Sequence, residues 1–201
     1  MASDLALSNS APLSVRSDRA FAIAALVLVV LGTKLIFIQT FGSAVPYWDQ
    51  WDAEADHLYK AYLNSSLSLA TLIASHNEHR ILATRIYSLA LFELDGGWDP
   101  ILQMIANAAL HMGVIVLLVI TFQRVLRWVS FLPFLLFSIL VFALPIGWVN
   151  LLFGFQSPFY FLLMFSLVAL RGFATSAALS FRWWVSLLCS VAAYFRLRPG
   201  P

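Results

Sequence analysis

The chain has 201 residues, 61% of them hydrophobic and 11% charged, with a formal net charge of +2. Soluble domains carry about 25% charged residues, so a water-soluble globule is excluded. The charge is also divided: residues 42–99 hold three basic residues against eight acids, a net −5, while the rest holds nine against two, a net +7. Such a split is a topology signal rather than a nucleic-acid footprint.

The apolar residues fall in runs near the 20 or so needed to cross a bilayer. No stretch alternates apolar and polar residues as a barrel strand would. Only helices remain, because lipid offers backbone groups no other partner. The fold class is therefore all-α, a polytopic transmembrane bundle with amphipathic helices lying on the surface in its first outer loop. The single cysteine, Cys189, excludes an intramolecular disulfide and gives no metal-site spacing.

In chain order, residues 1–19 read as a disordered cytoplasmic tail ending in Arg16 and Arg19. The bundle then occupies 20–195. A first span covers 20–41 and holds Lys34, which is placed to snorkel outward or to pair with a loop carboxylate or a phosphate. The run is too long for a typical signal-peptide core, so it reads as an uncleaved anchor. The outer loop is 42–99. Within it Leu58, Tyr62, Leu69 and Ile73 recur at helical spacing, as do Ile81, Leu82, Arg85, Ile86 and Leu89, and each set can lie apolar side down on the membrane. Further spans fall at about 100–122, 129–148 and 151–170, with a partial one at 183–195. Residues 196–201 form a tail, and the ending reads as that of a truncated chain. Arg16, Arg19, Arg124, Arg127, Arg171 and Arg182 fall on one side if four helices cross. The positive-inside rule makes that side, and the N-terminus, cytoplasmic. The expected location is a bacterial inner membrane, with lipids as partners, no nucleic acid, and no oligomeric state indicated.

Four constellations can carry chemistry. The first follows span one: Trp48, Asp49, Trp51, Asp52, Glu54, Asp56 and His57. On an α-helix Asp49, Asp52 and Asp56 share a face. Together they suit a divalent metal cation; alternatively, mutual repulsion makes one a better general base. Trp48 and Trp51 beside these acids suit sugar rings, or else form an interfacial aromatic belt. The second is His76-Asn77-Glu78-His79-Arg80. His76 and His79 are possible metal ligands, Glu78 suits a polar helix start, and Arg80, with Arg85 beyond it, suits a phosphate at headgroup level. The third is Gln103, Asn107 and His111 along one face of span two, read foremost as interhelical hydrogen bonding. The fourth, Asn150 with Gly154-Phe155-Gln156-Ser157-Pro158, reads as a bent turn on the outer side, the wall of a cavity or a tight hairpin.

The layout over about 20–170, with acids opening a long outer loop after the first helix, resembles the amino-terminal part of GT-C-type membrane glycosyltransferases. The resemblance implies a polyprenyl-phosphate-linked sugar donor and a cell-envelope acceptor. It assigns Asp49 and Asp52 as catalytic carboxylates, with Glu54 next in line. Trp48, Trp51, Asp56, His76, Glu78, His79, Arg80 and Arg85 become substrate contacts, and a divalent metal would fall to Asp49, Asp52 and Asp56. His76 to Arg80 stands where the family often has a His-Pro segment, here without the proline. The competing expectation is a non-enzymatic protein: a transporter or flippase fragment, or a scaffold for envelope assembly.

Overall fold

The computed structural model describes residues 13–77, 79–124 and 126–197. The expectations for residues 1–12, Glu78 and 198–201 lie outside these. The molecule is an all-α helical bundle. Four of its helices are long and apolar enough to cross a membrane: Ser17–Phe41, Pro100–Phe122, Val129–Leu151 and Gly154–Thr175.

Helix α1 (Leu13–Phe41) begins well before the apolar run it contains. A π-helix (Gln50–Tyr59) follows and continues into the short α2 (Lys60–Leu63). The chain breaks at Ser65, whose φ is 54°, and restarts as α3 (Leu69–Ile73), capped by Ser68 Oγ accepting from the Thr71 amide. The expected surface helix through Leu58, Tyr62, Leu69 and Ile73 is thus two pieces. Next comes a hairpin of β1 (Ser75–His76) and β2 (His79–Arg80), antiparallel, with His76 opposite His79. It stands where a helix start was expected. Asn77, at φ 50°, supplies the left-handed residue that a two-residue hairpin loop requires.

Helix α4 (Leu82–Asp95) ends at Gly96, whose φ of 74° makes the left-handed cap. Helix α5 (Pro100–Phe122) opens with Pro100 in its first turn and Asp99 Oδ1 accepting from the Ile101 amide at 2.7 Å. Helix α6 (Trp128–Ala143) gives way at Leu144–Gly147 to a 3₁₀ turn and the short α7 (Trp148–Leu151). Helix α8 (Ser157–Thr175) turns into α9 (Phe181–Leu197), which runs back along it. The two are close at Gly172, where a Cβ would clash with Ser186.

Helices α1, α5 and α6 meet in a core of Leu26, Val30, Met112, Ile115, Val119, Phe131 and Leu135. At one end of it Arg19 donates to the carbonyls of Gln123 and Leu126 and lies over the Phe131 ring, tying the start of α1 to the end of α5. Phe21, Leu28, Ile36, Phe137, Leu140, Phe159 and Leu170 are exposed, as side chains meant for lipid would be.

Candidate functional site

The acidic loop folds over the opposite end of the bundle from Arg19, and the π-helix fixes what it presents. Its hydrogen bonds close from i+5 to i, as from the Lys60 amide to the Ala55 carbonyl. A π-helix is rare, and where it occurs it frequently marks a functional site. Asp56 does not join Asp49 and Asp52 in the expected acid triad. Asp56 points to Lys60 instead, in an exposed ion pair at 2.8 Å. Trp48, immediately before the π-helix, has φ 51°. That is a strained backbone for an aromatic residue and costs of the order of 1–3 kcal/mol.

Asp49 and Asp52 converge on a histidine from the hairpin. His76 Nδ1 lies 3.5 Å from Asp52 Oδ2, and its Nε2 lies 4.0 Å from Asp49 Oδ2. His57 meets the other Asp52 oxygen at 3.3 Å. The imidazole is 9% exposed and stands edge-on to Phe155 at 5.4 Å. Burial pushes its pKa below the usual imidazole value, while Asp49 and Asp52 pull it back up. Asp49, His76 and His79 face Phe153, Phe155 and Phe159 across a cavity of about 190 Å³. This is below the ~300–1,000 Å³ of pockets that enclose drug-sized ligands, and suits one small ring or group.

Beneath this cluster lies a second one. Glu54 is 1% exposed. It accepts from Ser88 Oγ at 2.7 Å, Gln103 Nε2 at 2.7 Å and Gln50 Nε2 at 3.1 Å. Gln103 Oε1 in turn accepts from Gln50 Nε2 at 2.8 Å and Trp98 Nε1 at 3.2 Å. Burial raises the Glu54 pKa, against the three hydrogen bonds that lower it. Desolvation also raises that of Tyr59, whose hydroxyl accepts from Gln103 Nε2 at 3.1 Å. Gly154 packs against Gln50 and Gln103 so tightly that a Cβ would come within 2.7 and 2.8 Å of them. Its carbonyl accepts from Asn107 Nδ2 at 2.6 Å.

Several expected roles therefore change. Glu54 is the hub of a buried network that joins the loop to α5, and its oxygens do not line the Asp49 cavity. Arg85, expected to hold a phosphate, is 2% exposed. One of its Nη groups donates to the carbonyls of Thr71, Leu72 and Ala74 at 2.9, 3.0 and 2.5 Å, closing the open end of α3. Arg80 donates to the Ile73 carbonyl at 3.3 Å and lines a separate apolar cavity with Phe165 and Ala192. Trp48 stays exposed beside Tyr47, and Trp51 meets Trp98 edge-on at 5.7 Å. Lys34, expected to snorkel outward or to pair with a loop carboxylate or a phosphate, is buried with Nζ 3.2 Å from His111 Nδ1.

Among the described residues no three His, Cys, Asp or Glu side chains are grouped to hold a metal ion. Sequence reading missed the Gln50–Glu54–Gln103 network and the Lys34–His111 pair. The signal for both was present in the stripe Gln103, Asn107, His111, each member of which faces the bundle interior. Comparison with protein-family models, with curated proteins and with solved structures finds no match to this chain.

Proposed function

We propose that the chain is a membrane group-transfer protein of the glycosyltransferase kind, acting at the outer face of a bacterial inner membrane with its N-terminus in the cytoplasm. The observation that carries this reading is the carboxylate–imidazole–carboxylate cluster of Asp49, His76 and Asp52, part of it lining an aromatic cavity just beyond the end of α1. A base placed there takes the proton of an acceptor hydroxyl. The hydroxyl oxygen then bonds to the anomeric carbon of the donor sugar, and the carbon–oxygen bond to the polyprenyl phosphate breaks, its electron pair leaving on the phosphate. Phe153 and Phe155 offer faces for the sugar.

The orientation rests on the basic residues. Arg19, Arg124, Arg127, Arg171 and Arg182 belong to the end away from the acidic loop, which the positive-inside rule makes cytoplasmic. The competing transporter or flippase reading draws on Lys34 and His111 inside the bundle.

A transfer assay separates the two. Membranes bearing the chain are supplied with polyprenyl-phosphate hexoses and pentoses, and release of polyprenyl phosphate is followed. Wild type should release it, and Asp49→Asn and Asp52→Asn should lose that release with normal membrane insertion. Release as high in both variants as in wild type, or absent from wild type with every donor, overturns the enzymatic reading.

A further inference from the structure

Within the bundle a second cavity of about 420 Å³ lies among α1, α5, the end of α6 and α8. Its polar wall is Lys34, His111, Asn150, Gln156 and Tyr160. Lys34 is 7% exposed, and no ion pair to it exists among the described residues. Its polar contact is to a ring nitrogen: the ammonium donates to His111 Nδ1 at 3.2 Å, which leaves the His111 proton on Nε2. His111 is fixed by stacking on Tyr160, ring centroids 4.5 Å apart. Gln156 Nε2 donates to Asn150 Oδ1 at 3.0 Å, so the Asn150 amide nitrogen keeps its hydrogens for another acceptor. No Asp or Glu lines the cavity.

A buried cation without a counter-ion is costly, and inside a membrane it marks a site by default. The other side of the cavity is apolar. Val141, Leu144, Ile146, Phe159 and Leu163 line it and are also exposed on the outer surface of the helices. Helix α6 packs on α1, whereas α8 packs on α5 and α9, so the cavity opens between α6 and α8 towards lipid.

We infer that this cavity binds the terminal phosphate of a phosphomonoester lipid. Lys34 supplies the charge, Asn150 and Gln156 the neutral donors, and the chain leaves through the gap between α6 and α8. The site is built from bundle residues alone and does not depend on the sugar-transfer reading.

The test is thermal unfolding of the detergent-purified full chain with phosphatidic acid, phosphatidylcholine or inorganic phosphate. Phosphatidic acid should raise the unfolding temperature with increasing concentration, as a ligand of the folded state must. Phosphatidylcholine and inorganic phosphate should raise it far less. Lys34→Met should abolish the rise, Lys34→Arg should keep part of it, and Asn150→Leu should weaken it. Without lipid, Lys34→Met should be no less stable than wild type, because the uncompensated charge is gone. An equal rise with phosphatidylcholine or with inorganic phosphate overturns the inference. So does an undiminished rise in Lys34→Met, or in Asn150→Leu should the first variant fail to fold.

Discussion

Replacing Glu54 with alanine removes the acceptor shared by three buried donors, Ser88 Oγ, Gln103 Nε2 and Gln50 Nε2. Each buried donor left without a partner costs about 1–3 kcal/mol. Partial collapse and entering water recover some of this, so a net loss of about 3–5 kcal/mol is expected. For a chain of this size that corresponds to a fall in unfolding temperature of about 6–20 °C. Glu54→Gln should cost less, since it keeps one carbonyl oxygen and removes a charge that burial disfavours. The two forms also differ in pH response. The Glu54 pKa is raised in the folded chain above 4.5, so between 4.5 and the raised value the folded state holds a proton that the unfolded state has released. The stability of wild type relative to Glu54→Gln therefore declines as pH rises through that window, and is flat below it. Tryptophan emission during thermal unfolding in detergent measures both effects, because Trp98 donates to Gln103 Oε1 inside the network. A Glu54→Ala variant that melts with wild type refutes the assigned network. A wild-type curve parallel to that of Glu54→Gln across the window refutes the assigned burial.

Two further substitutions test the packing that holds the loop and the last helices. Gly172→Ala should destabilise the α8–α9 pair by about 1–3 kcal/mol, since the new Cβ meets Ser186 Oγ. Adding Ser186→Ala should restore most of the loss, and a double-mutant cycle with no coupling refutes the contact. Arg85→Met should strand the carbonyls of Thr71, Leu72 and Ala74 and speed hydrogen exchange and proteolytic nicking across residues 64–74. Unchanged protection there refutes the clamp.

The long helices were legible because hydropathy is a property of composition. Runs of apolar residues as long as a bilayer is thick need no knowledge of neighbours, and the four candidate spans overlap the runs read from the sequence. The site was legible only in part. Asp49, Asp52 and His76 were each named, yet their meeting was hidden, because His76 is carried to the two aspartates by a hairpin that local spacing does not show. Glu54 shows a second limit. Its partner Gln103 is 49 positions further on, and no local pattern separates a carboxylate in water from one in a buried network. Arg85 shows the same for cations. Its charge answers the unclosed end of α3, a demand created where that helix stops at Ala74 and invisible to spacing. Lys34 was placed correctly along its helix, but whether it faces outward or inward depends on the partner that α5 offers.

The seat of Gly154 between Gln50 and Gln103 also sets a schedule. Chains leave the ribosome from the amino end, so the acidic loop is made before this glycine has been translated. Through that interval Glu54 stays hydrated, and the loop is only a tethered flap. It is fastened when the segment just ahead of the fourth crossing arrives and slides its bare backbone beneath the two glutamines. Arrival of the fourth long helix is thus the step that completes the loop's fold, and a nascent protein stalled before it would display an unlatched surface for proteases to recognise.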